Sequence, residues 1–271
     1  MSSFSPDWLA LREPADRRAR STRVTRAVAD ALPRDRAIDV LDLAAGIGSN
    51  ERYLREYFRT PQTWLLVDHD AALLEVARER ADHGMTTCLA DLSSIGDRAD
   101  LFRGRDLVTA SAFLDLVSDA WLRAMLACCR EACAAVLFAL TYDGRMVCRP
   151  TEPEDDLVRD LVNRHQRTDK GFGAALGPDA AQRASELLES LGYHVVRDPS
   201  DWVIGPDADE LQHQLIEDWA QAAAAVAPSE IDAIDGWRRR RLAHAWEGRS
   251  EIVVGHEDVA EIGRASCRER V

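Results

Sequence analysis

Residues 37–50 read AIDVLDLAAGIGSN, a short apolar run followed by a glycine-rich turn. The isoleucine, valine and leucines of this run favour a buried β-strand. Gly46 and Gly48 allow the backbone after it to turn sharply and to approach a ligand closely. Because ligands of open parallel sheets bind beyond the carboxyl ends of the strands, this turn is the first place to look for a binding site.

The alternation of strand and helix continues through the first half of the chain. Further strands are predicted at 64–67, 86–90, 106–110 and 134–140, and helices at 49–58, 71–80 and 119–132. Strands that alternate with helices of about 10 to 15 residues indicate βαβ units and a parallel sheet. The strands are apolar almost throughout, as expected where helices cover both faces.

Outside this region the pattern is less regular. Residues 6–32 are expected to be helical, with a break at Pro14 because proline disrupts a helix interior. Residues 165–178 follow neither the helical nor the strand pattern. In the second half of the chain we predict helices at 180–191, 208–227 and 229–246, and strand pieces at 193–196, 202–204 and 251–254.

The turn does not satisfy the fingerprint of a dinucleotide site. That fingerprint requires Gly or Ala three residues after its second glycine, and this position is Glu51. A carboxylate there is also unfavourable beside a pyrophosphate at a helix N-terminus. The sequence therefore disfavours NAD and FAD, and an NAD-dependent oxidoreductase is the less favoured alternative.

Four segments, in order, resemble the motifs of the class I (Rossmann-like) S-adenosylmethionine-dependent methyltransferases. They are VLDLAAGIGSN at 40–50, WLLVDHD at 64–70, CLADLSS at 88–94 and DLVTASAFLDLVS at 106–118. The resemblance covers about residues 36–142. It implies S-adenosylmethionine as the cofactor and S-adenosylhomocysteine as its product.

The resemblance also implies roles for single residues. Asp68, at the end of the second strand, is expected to bind the ribose hydroxyls, since one carboxylate can accept hydrogen bonds from both. Asp91 is expected near the adenine amino group. The other expected cofactor-binding residues are Asp42, Ala44, Gly46, Gly48, Asn50, His69, Leu92 and Ser111.

The implied fold is α/β and Rossmann-like: a mostly parallel seven-stranded sheet with its last strand antiparallel, helices on both faces and helical cap insertions. Residues 1–35 would form a helical segment that covers the cofactor site. Residues 36–263 would form the methyltransferase domain, with cap insertions at about 145–177 and 205–248. Residues 264–271 (RASCRERV) resemble a vector read-through, so we expect a non-native tail.

Candidates for the acceptor side follow the later strands. Methyl transfer requires an oriented acceptor and, where the acceptor carries a proton, a base. Asp115 is a candidate base or an anchor for a cationic amine, and a turn or cap carboxylate is an equally open interpretation. Tyr142 is the second catalytic candidate. The candidates for binding the acceptor are Asp143, His165, Lys170, Phe172 and Arg20.

Lys170 is the only lysine in the chain. This favours a role that arginine cannot fill, although a solvated loop explains it as well. For the cluster of arginines at 12, 17, 18, 20 and 23, the alternatives are contact with an acidic acceptor and a solvated helix face paired with nearby acids.

Composition narrows the class of acceptor. The net charge of −13 disfavours nucleic acid, because such binding depends on Lys and Arg that neutralise phosphates. The longest apolar run, at 132–140, is too short to span a bilayer, and the cysteine spacing predicts no metal site. We therefore expect a cytoplasmic enzyme that methylates an O, N or C atom of a small-molecule metabolite. A methyltransferase acting on protein or RNA, or a non-catalytic S-adenosylmethionine-binding protein, remains an alternative.

Overall fold

A sheet of eight strands forms the centre of the protein. The structure is a computed structural model, and it describes residues 4–81 and 84–262. The strands are β1 Ile38–Leu43, β2 Gln62–Asp68, β3 Met85–Leu89, β4 Leu107–Ser111, β5 Ala135–Arg149, β6 Val195–Pro199, β7 Trp202–Ile204 and β8 Glu251–Glu261. The helices are α1 Pro6–Ala19, α2 Thr22–Ala31, α3 Ser49–Arg55, α4 Ala71–Glu79, α5 Ala99–Phe102, α6 Asp119–Ala132, α7 Asp155–Gln166, α8 Ala180–Ser190, α9 Asp209–Val226 and α10 Ile231–Trp246.

The strand order is β3-β2-β1-β4-β5-β8-β6, and β7 also pairs with β8. Strands β1 to β5 are parallel to one another. β8 runs antiparallel to β5, β6 and β7. The prediction of a mostly parallel Rossmann-like sheet with an antiparallel last strand is confirmed, with β7 as one strand more than the expected seven.

Alternate residues of β1 enter two different cores. Leu41 and Leu43 pack with α5, α6 and α8 on one face, whereas Ile38 and Val40 pack with α2, α3 and α4 on the other. Both faces are covered, which explains why the strand sequence is continuously apolar.

The prediction that Pro14 divides the first helical segment is wrong. α1 continues through Pro14, and the chain breaks at Arg20 and Ser21 instead. The Ser21 hydroxyl accepts a hydrogen bond from the Val24 amide at 3.2 Å, and the Ser21 amide donates to Asp258 at 2.9 Å. The cap at the start of α2 and the contact with β8 therefore determine where the chain breaks between α1 and α2.

β5 and β8 are both much longer than predicted. Ala139 is the last β5 residue paired with β4, so the remainder of β5 projects beyond the carboxyl edge of the parallel strands. There, residues 146–149 pair with residues 251–254 of β8. The expected strands ended at Leu140 and Val254, where the apolar runs stop.

One helical layer packs against this projecting ribbon. It consists of α7, α9 and α10, which share a core with β5, β7 and β8. The segments expected as two separate cap insertions therefore contribute to the same layer. Residues 264–271, expected as a non-native tail, lie outside the described residues. None of the described helices is long and apolar enough to cross a membrane.

A buried ion pair fastens α10 to the start of α7. Arg241 has 0% relative exposure, and its guanidinium donates to both carboxylate oxygens of Asp155 and to the Pro150 carbonyl. The Trp237 indole also donates to Asp155, at 2.8 Å. The Asp155 carboxylate is thus the only anion directly bonded to Arg241 in the described part of the chain.

We expect Asp155→Ala to lower the free energy of unfolding by about 3–5 kcal/mol, because it leaves a buried guanidinium without its counter-charge. Urea titration followed by circular dichroism measures the change. Asp156→Ala is the matched control, since the Asp156 side chain is 83% exposed and pairs with Arg159 at the surface; we expect a change within about 0.5 kcal/mol. Equal losses in the two variants would contradict this assignment.

Candidate active site

The turn after β1 has three residues in left-handed backbone conformations. These are Ala44 (φ 51°), Gly46 (φ 54°) and Gly48 (φ 79°). At Gly48 a Cβ atom would also lie 3.3 Å from the Leu66 side chain, so glycine is required there for both backbone and space. The Gly46 amide donates to Asp68 at 2.8 Å, which fixes the turn to the end of β2.

Asp68, His69 and Asp91 lie together at the carboxyl ends of β2 and β3. Asp68 is 3% exposed; its Oδ1 accepts from the Asp70 amide at 3.0 Å and lies 3.2 Å from His69 Nδ1. Asp91 is exposed and accepts from the Ser93 amide at 2.8 Å. That hydrogen bond, with the Ser93 hydroxyl and the nearby His69, lowers the pKa of Asp91.

Leu92 follows Asp91 but turns inward. Its side chain packs in the core beside α6, and its carbonyl accepts from the Trp121 indole at 2.6 Å. Any contact of Leu92 with a cofactor would therefore have to come from its backbone amide.

A row of buried polar side chains, joined by hydrogen bonds, runs from β1 to the end of α1. Asp42 Oδ1 accepts from Asn50 Nδ2 at 2.8 Å, and Asn50 Oδ1 accepts from Arg20 Nη1 at 2.8 Å. Asn50 Nδ2 also lies 3.2 Å from the Thr109 hydroxyl. The Asn50 amide therefore separates a buried carboxylate from a buried guanidinium.

Asp42 and Arg20, at the two ends of this row, retain polar atoms without hydrogen bonds. Asp42 Oδ2 and the Nε and Nη2 atoms of Arg20 are buried and have no hydrogen-bond partner among the described residues. Arg20 Nε lies 3.6 Å from Asp258 Oδ2, and the guanidinium lies 4.5 Å from the Tyr53 ring centre. Burial raises the pKa of Asp42 to about 7.

A narrow cleft adjoins this row of side chains. Its lining residues are Glu13, Asp16, Arg17, Arg20, Ser49, Asn50, Tyr53 and Ser111. α1 forms one wall, held to α3 by a 2.7 Å ion pair of Glu13 with Arg52 and by an ion pair of Arg17 with Glu56. The structure thus brings Arg20 to the glycine turn, together with Ser111 at the end of β4.

Asp115 follows the end of β4, and Asp115 and Lys170, both acceptor candidates, influence each other electrostatically. Asp115 is 6% exposed, and burial raises its pKa to about 6 against the opposing influence of Arg12 and Lys170. Burial lowers the pKa of Lys170, and Asp115 opposes that shift. Neither residue forms an ion pair within the described part of the chain.

An aromatic cluster fixes the loop that carries Lys170. Phe172 packs edge-on against Phe113 and Trp121, with ring centres 5.3 and 5.9 Å away, and the Leu176 amide donates to the Val117 carbonyl at 2.8 Å. Phe172 therefore anchors residues 167–176 onto the segment that contains Asp115.

The Lys170 ammonium contacts His165 at the end of α7 and Thr168 of its own loop. Its Nζ lies 3.2 Å from His165 Nδ1 and donates to the Thr168 hydroxyl at 3.0 Å. Burial and the charge of Lys170 lower the pKa of His165.

Tyr142 and Asp143 lie further along β5. The Tyr142 hydroxyl donates to Asn163 at 2.8 Å, and burial raises its pKa, so the group stays protonated at neutral pH. The Asp143 carboxylate accepts from Arg145 at 2.7 Å. Asp143 and Arg145 line an open groove of about 740 Å³, which Asn163 also borders.

Sequence reasoning missed a cluster in which side chains of α1, β7 and β8 meet. Arg12 binds Asp16 at 2.9 Å and lies 5.1 Å from the Trp202 ring centre, and the Trp202 indole donates to Asp16 at 3.1 Å. His256 lies 5.2 Å from Trp202 and 6.2 Å from Tyr142.

The sequence itself has no match among known families: no protein-family model and no curated protein matches it. The structure is similar to that of the cyclopropane synthase MmaA2 from Mycobacterium tuberculosis. The TM-score is 0.50 and the identity 10%, over 95% of this chain and 94% of that chain. The protein has the class I methyltransferase fold.

Two further structures are similar at lower scores. One is an S-adenosylmethionine-dependent methyltransferase from Geobacter sulfurreducens in complex with S-adenosylhomocysteine (TM-score 0.46, identity 16%, 96% of this chain and 99% of that chain). The other is phosphoethanolamine N-methyltransferase 2 from Haemonchus contortus (TM-score 0.44, identity 14%, 89% of this chain). The chain spans about half the length of that enzyme, 52%.

We expect Asp42→Asn to remove a pH dependence of stability. An aspartate in the unfolded chain has a pKa of about 3.9, whereas burial raises that of Asp42 to about 7. Between about pH 4 and 7 the folded protein binds one proton more than the unfolded chain. Its free energy of unfolding therefore falls by about 1.4 kcal/mol for each unit by which the pH rises. Urea titrations at pH 5 and 7 should show about 2–3 kcal/mol less decrease in the variant than in the wild type.

Asp39→Asn, on the same strand but partly exposed, is the control for this experiment. It should keep the pH dependence of the wild type. An identical decrease in the wild type and Asp42→Asn would show that Asp42 is ionised across this range.

Proposed function

We propose that the protein transfers a methyl group from S-adenosylmethionine to a small-molecule acceptor. The observation that carries this proposal is a set of buried atoms on either side of Asn50 that have no hydrogen bond within the described residues: Asp42 Oδ2, which accepts, and Arg20 Nε and Nη2, which donate. Arg20 Nε has only its 3.6 Å ion pair with Asp258. The amino-acid end of S-adenosylmethionine presents an ammonium and a carboxylate. These two charges match Asp42 and Arg20, and they would satisfy groups whose burial is otherwise unfavourable.

The remaining cofactor residues suit the nucleoside end of the same molecule. Asp68 Oδ2 accepts one hydrogen bond, from the Gly46 amide, which leaves a lone pair for a ribose hydroxyl. Asp91 and His69, at the neighbouring strand ends, are suited to the adenine. In this structure Leu9 of α1 covers Gly46, its Cδ1 lying 3.0 Å from where a Cβ would be. We expect α1 to shift when the nucleoside binds.

A small acceptor fits the enclosure of the site. The cofactor supplies an electrophilic methyl group, and the protein must orient the nucleophile and exclude water. Asp115 lies just after Ser111 and is 6% exposed. A protein or RNA acceptor would require an open cleft there, and the net charge of −13 further disfavours RNA.

Calorimetric titration with S-adenosylmethionine, S-adenosylhomocysteine and NADH tests the cofactor. We expect binding of the first two and none of NADH. Asp68→Ala should weaken binding by about tenfold or more (~1.4 kcal/mol), because it removes the acceptor for the ribose hydroxyls. Binding of NADH alone would contradict the proposal.

Arg20→Met tests the match with the amino-acid end. It should weaken S-adenosylhomocysteine by about tenfold or more (~1.4 kcal/mol) but leave adenosine unchanged, because adenosine has no carboxylate. Retained adenosine binding also shows that the variant is folded. Arg18→Met, which removes an exposed charge from the same helix, is the control. Equal weakening of both ligands would mean that Arg20 does not bind the carboxylate.

A turnover assay distinguishes an enzyme from a protein that only binds the cofactor. We expect transfer of labelled methyl from S-adenosylmethionine to a component of a metabolite extract. Binding of the cofactor without transfer to any extract or acceptor pool would favour the non-catalytic alternative.

A further inference from the structure

We propose that the methyl acceptor is an amine that also carries an acidic group, with Asp115 binding the amine and Lys170 binding the acid. This inference rests on the proposed methyl transfer and specifies its substrate class. It begins from two opposite charges that influence each other but form no ion pair, with each other or with any other described residue.

The Asp115 carboxylate is buried beside the end of β4 and forms no ion pair with any described residue. A buried carboxylate without a bonded cation is unfavourable. The nearest positive groups are Arg12 and Lys170. Arg12 is already bound to Asp16 through two hydrogen bonds, at 2.9 and 3.1 Å. An ammonium of the acceptor would supply the missing counter-charge to Asp115.

The Lys170 ammonium has the complementary deficiency. Its partners, His165 and Thr168, are neutral, and no carboxylate of the described chain pairs with it. Most arginines nearby are paired: Arg145 with Asp143, and Arg167 with Asp179. Lys170 is therefore the cation with spare capacity for an acid group. A compact ammonium also fits a small enclosed site better than a guanidinium.

The loop holds Lys170 at a fixed position relative to Asp115. Phe172 anchors it on one side, and the Asp169 carboxylate accepts from the amides of Gly171 and Gly173, at 2.7 and 3.0 Å, on the other. A fixed separation between two opposite charges selects for molecules whose own charges match that separation. Two-point recognition of this kind discriminates against analogues that lack either charge.

Asp115 also suits the chemistry of an amine. An ammonium has no free lone pair, so it must first give one proton to the Asp115 carboxylate. The nitrogen lone pair then forms the new N–C bond as the S–C bond of the sulfonium breaks, yielding the methylated ammonium and S-adenosylhomocysteine. The proton on Asp115 leaves to solvent when the product departs.

Binding to the complex with S-adenosylhomocysteine tests the proposal without turnover. The probes are ω-amino acids of graded chain length, with alkylamines and alkyl carboxylates of the same lengths as single-charge analogues. We expect one amino acid to bind at least about tenfold tighter (~1.4 kcal/mol) than its matched amine and its matched acid. Tight binding of an alkylamine alone, or binding of no member of the series, would overturn the proposal.

Variants assign each charge to its residue. Lys170→Met should reduce the affinity for the preferred amino acid to that of its alkylamine and leave the alkylamine unchanged, whereas Lys170→Arg should keep part of the preference. Asp115→Asn should weaken the alkylamine and the amino acid alike. Arg123→Met, which removes an exposed cation paired with Asp119, should change neither. Equal weakening of both probes by Lys170→Met would overturn the role of Lys170.

The binding of S-adenosylhomocysteine is measured first, on every variant. If it fails in the wild type, the proposed methyl transfer fails. If it succeeds and the amino-acid preference is absent, only the acceptor class is wrong.

Discussion

The buried carboxylate of Asp258 connects the elements that enclose the site. It lies on β8 with 0% exposure, and its two oxygens accept from the Leu140 amide at 2.8 Å and the Ser21 amide at 2.9 Å. Leu140 has a φ of 53° and lies where the β5–β8 register shifts, so its amide has no partner in the ladder. Arg20 lies beside the same carboxylate. The path of β5, the end of α1 and the orientation of Arg20 therefore depend on one charge.

Because α1 ends at this carboxylate, its side chains reach two sites at once. Glu13 and Arg17 bind the α3 region next to the glycine turn. Arg12 and Asp16 contact Trp202 on the acceptor side. A shift of α1 that admits the cofactor therefore also changes the surroundings of Asp115. The two sites share a structural element whose position both ligands would influence, which is the requirement for coupling between them.

The parts of the fold that the sequence predicts are those with local signals. β1, the turn at Gly46 and Gly48, and the boundaries of α6 follow from runs of apolar residues and from glycine. The ends of β5 and β8 could not be predicted in this way, because these strands continue into polar residues such as His256 that are buried only by tertiary packing. Pro14 was misleading for the same reason: the contact of Ser21 with Asp258, distant in sequence, sets the helix end.

The candidate site shows the same division. Asp68 and Asp91 follow directly from their strands, and both lie at the carboxyl edge of the sheet. Arg20 was expected to bind the acceptor, because it belongs to an arginine-rich segment. Its position depends on Asp258 of β8, a contact that the local sequence does not reveal. Glu51 is buried and paired with Arg55. Glu51 therefore disfavours a dinucleotide more by its size, at the third small-residue position of the fingerprint, than by its charge.

Asp42 and Asp115 share the same electrostatic environment, that of a carboxylate removed from solvent. Both carboxylates are buried without a bonded cation, and burial raises both of their pKa values. Such groups reduce the stability of the ligand-free protein, which is a known cost of preorganised sites. A ligand that brings an ammonium to either position recovers that free energy as affinity, and it stabilises the folded state by mass action. Under the proposed function, the unfavourable burial of these two acids therefore favours ligands that carry an ammonium.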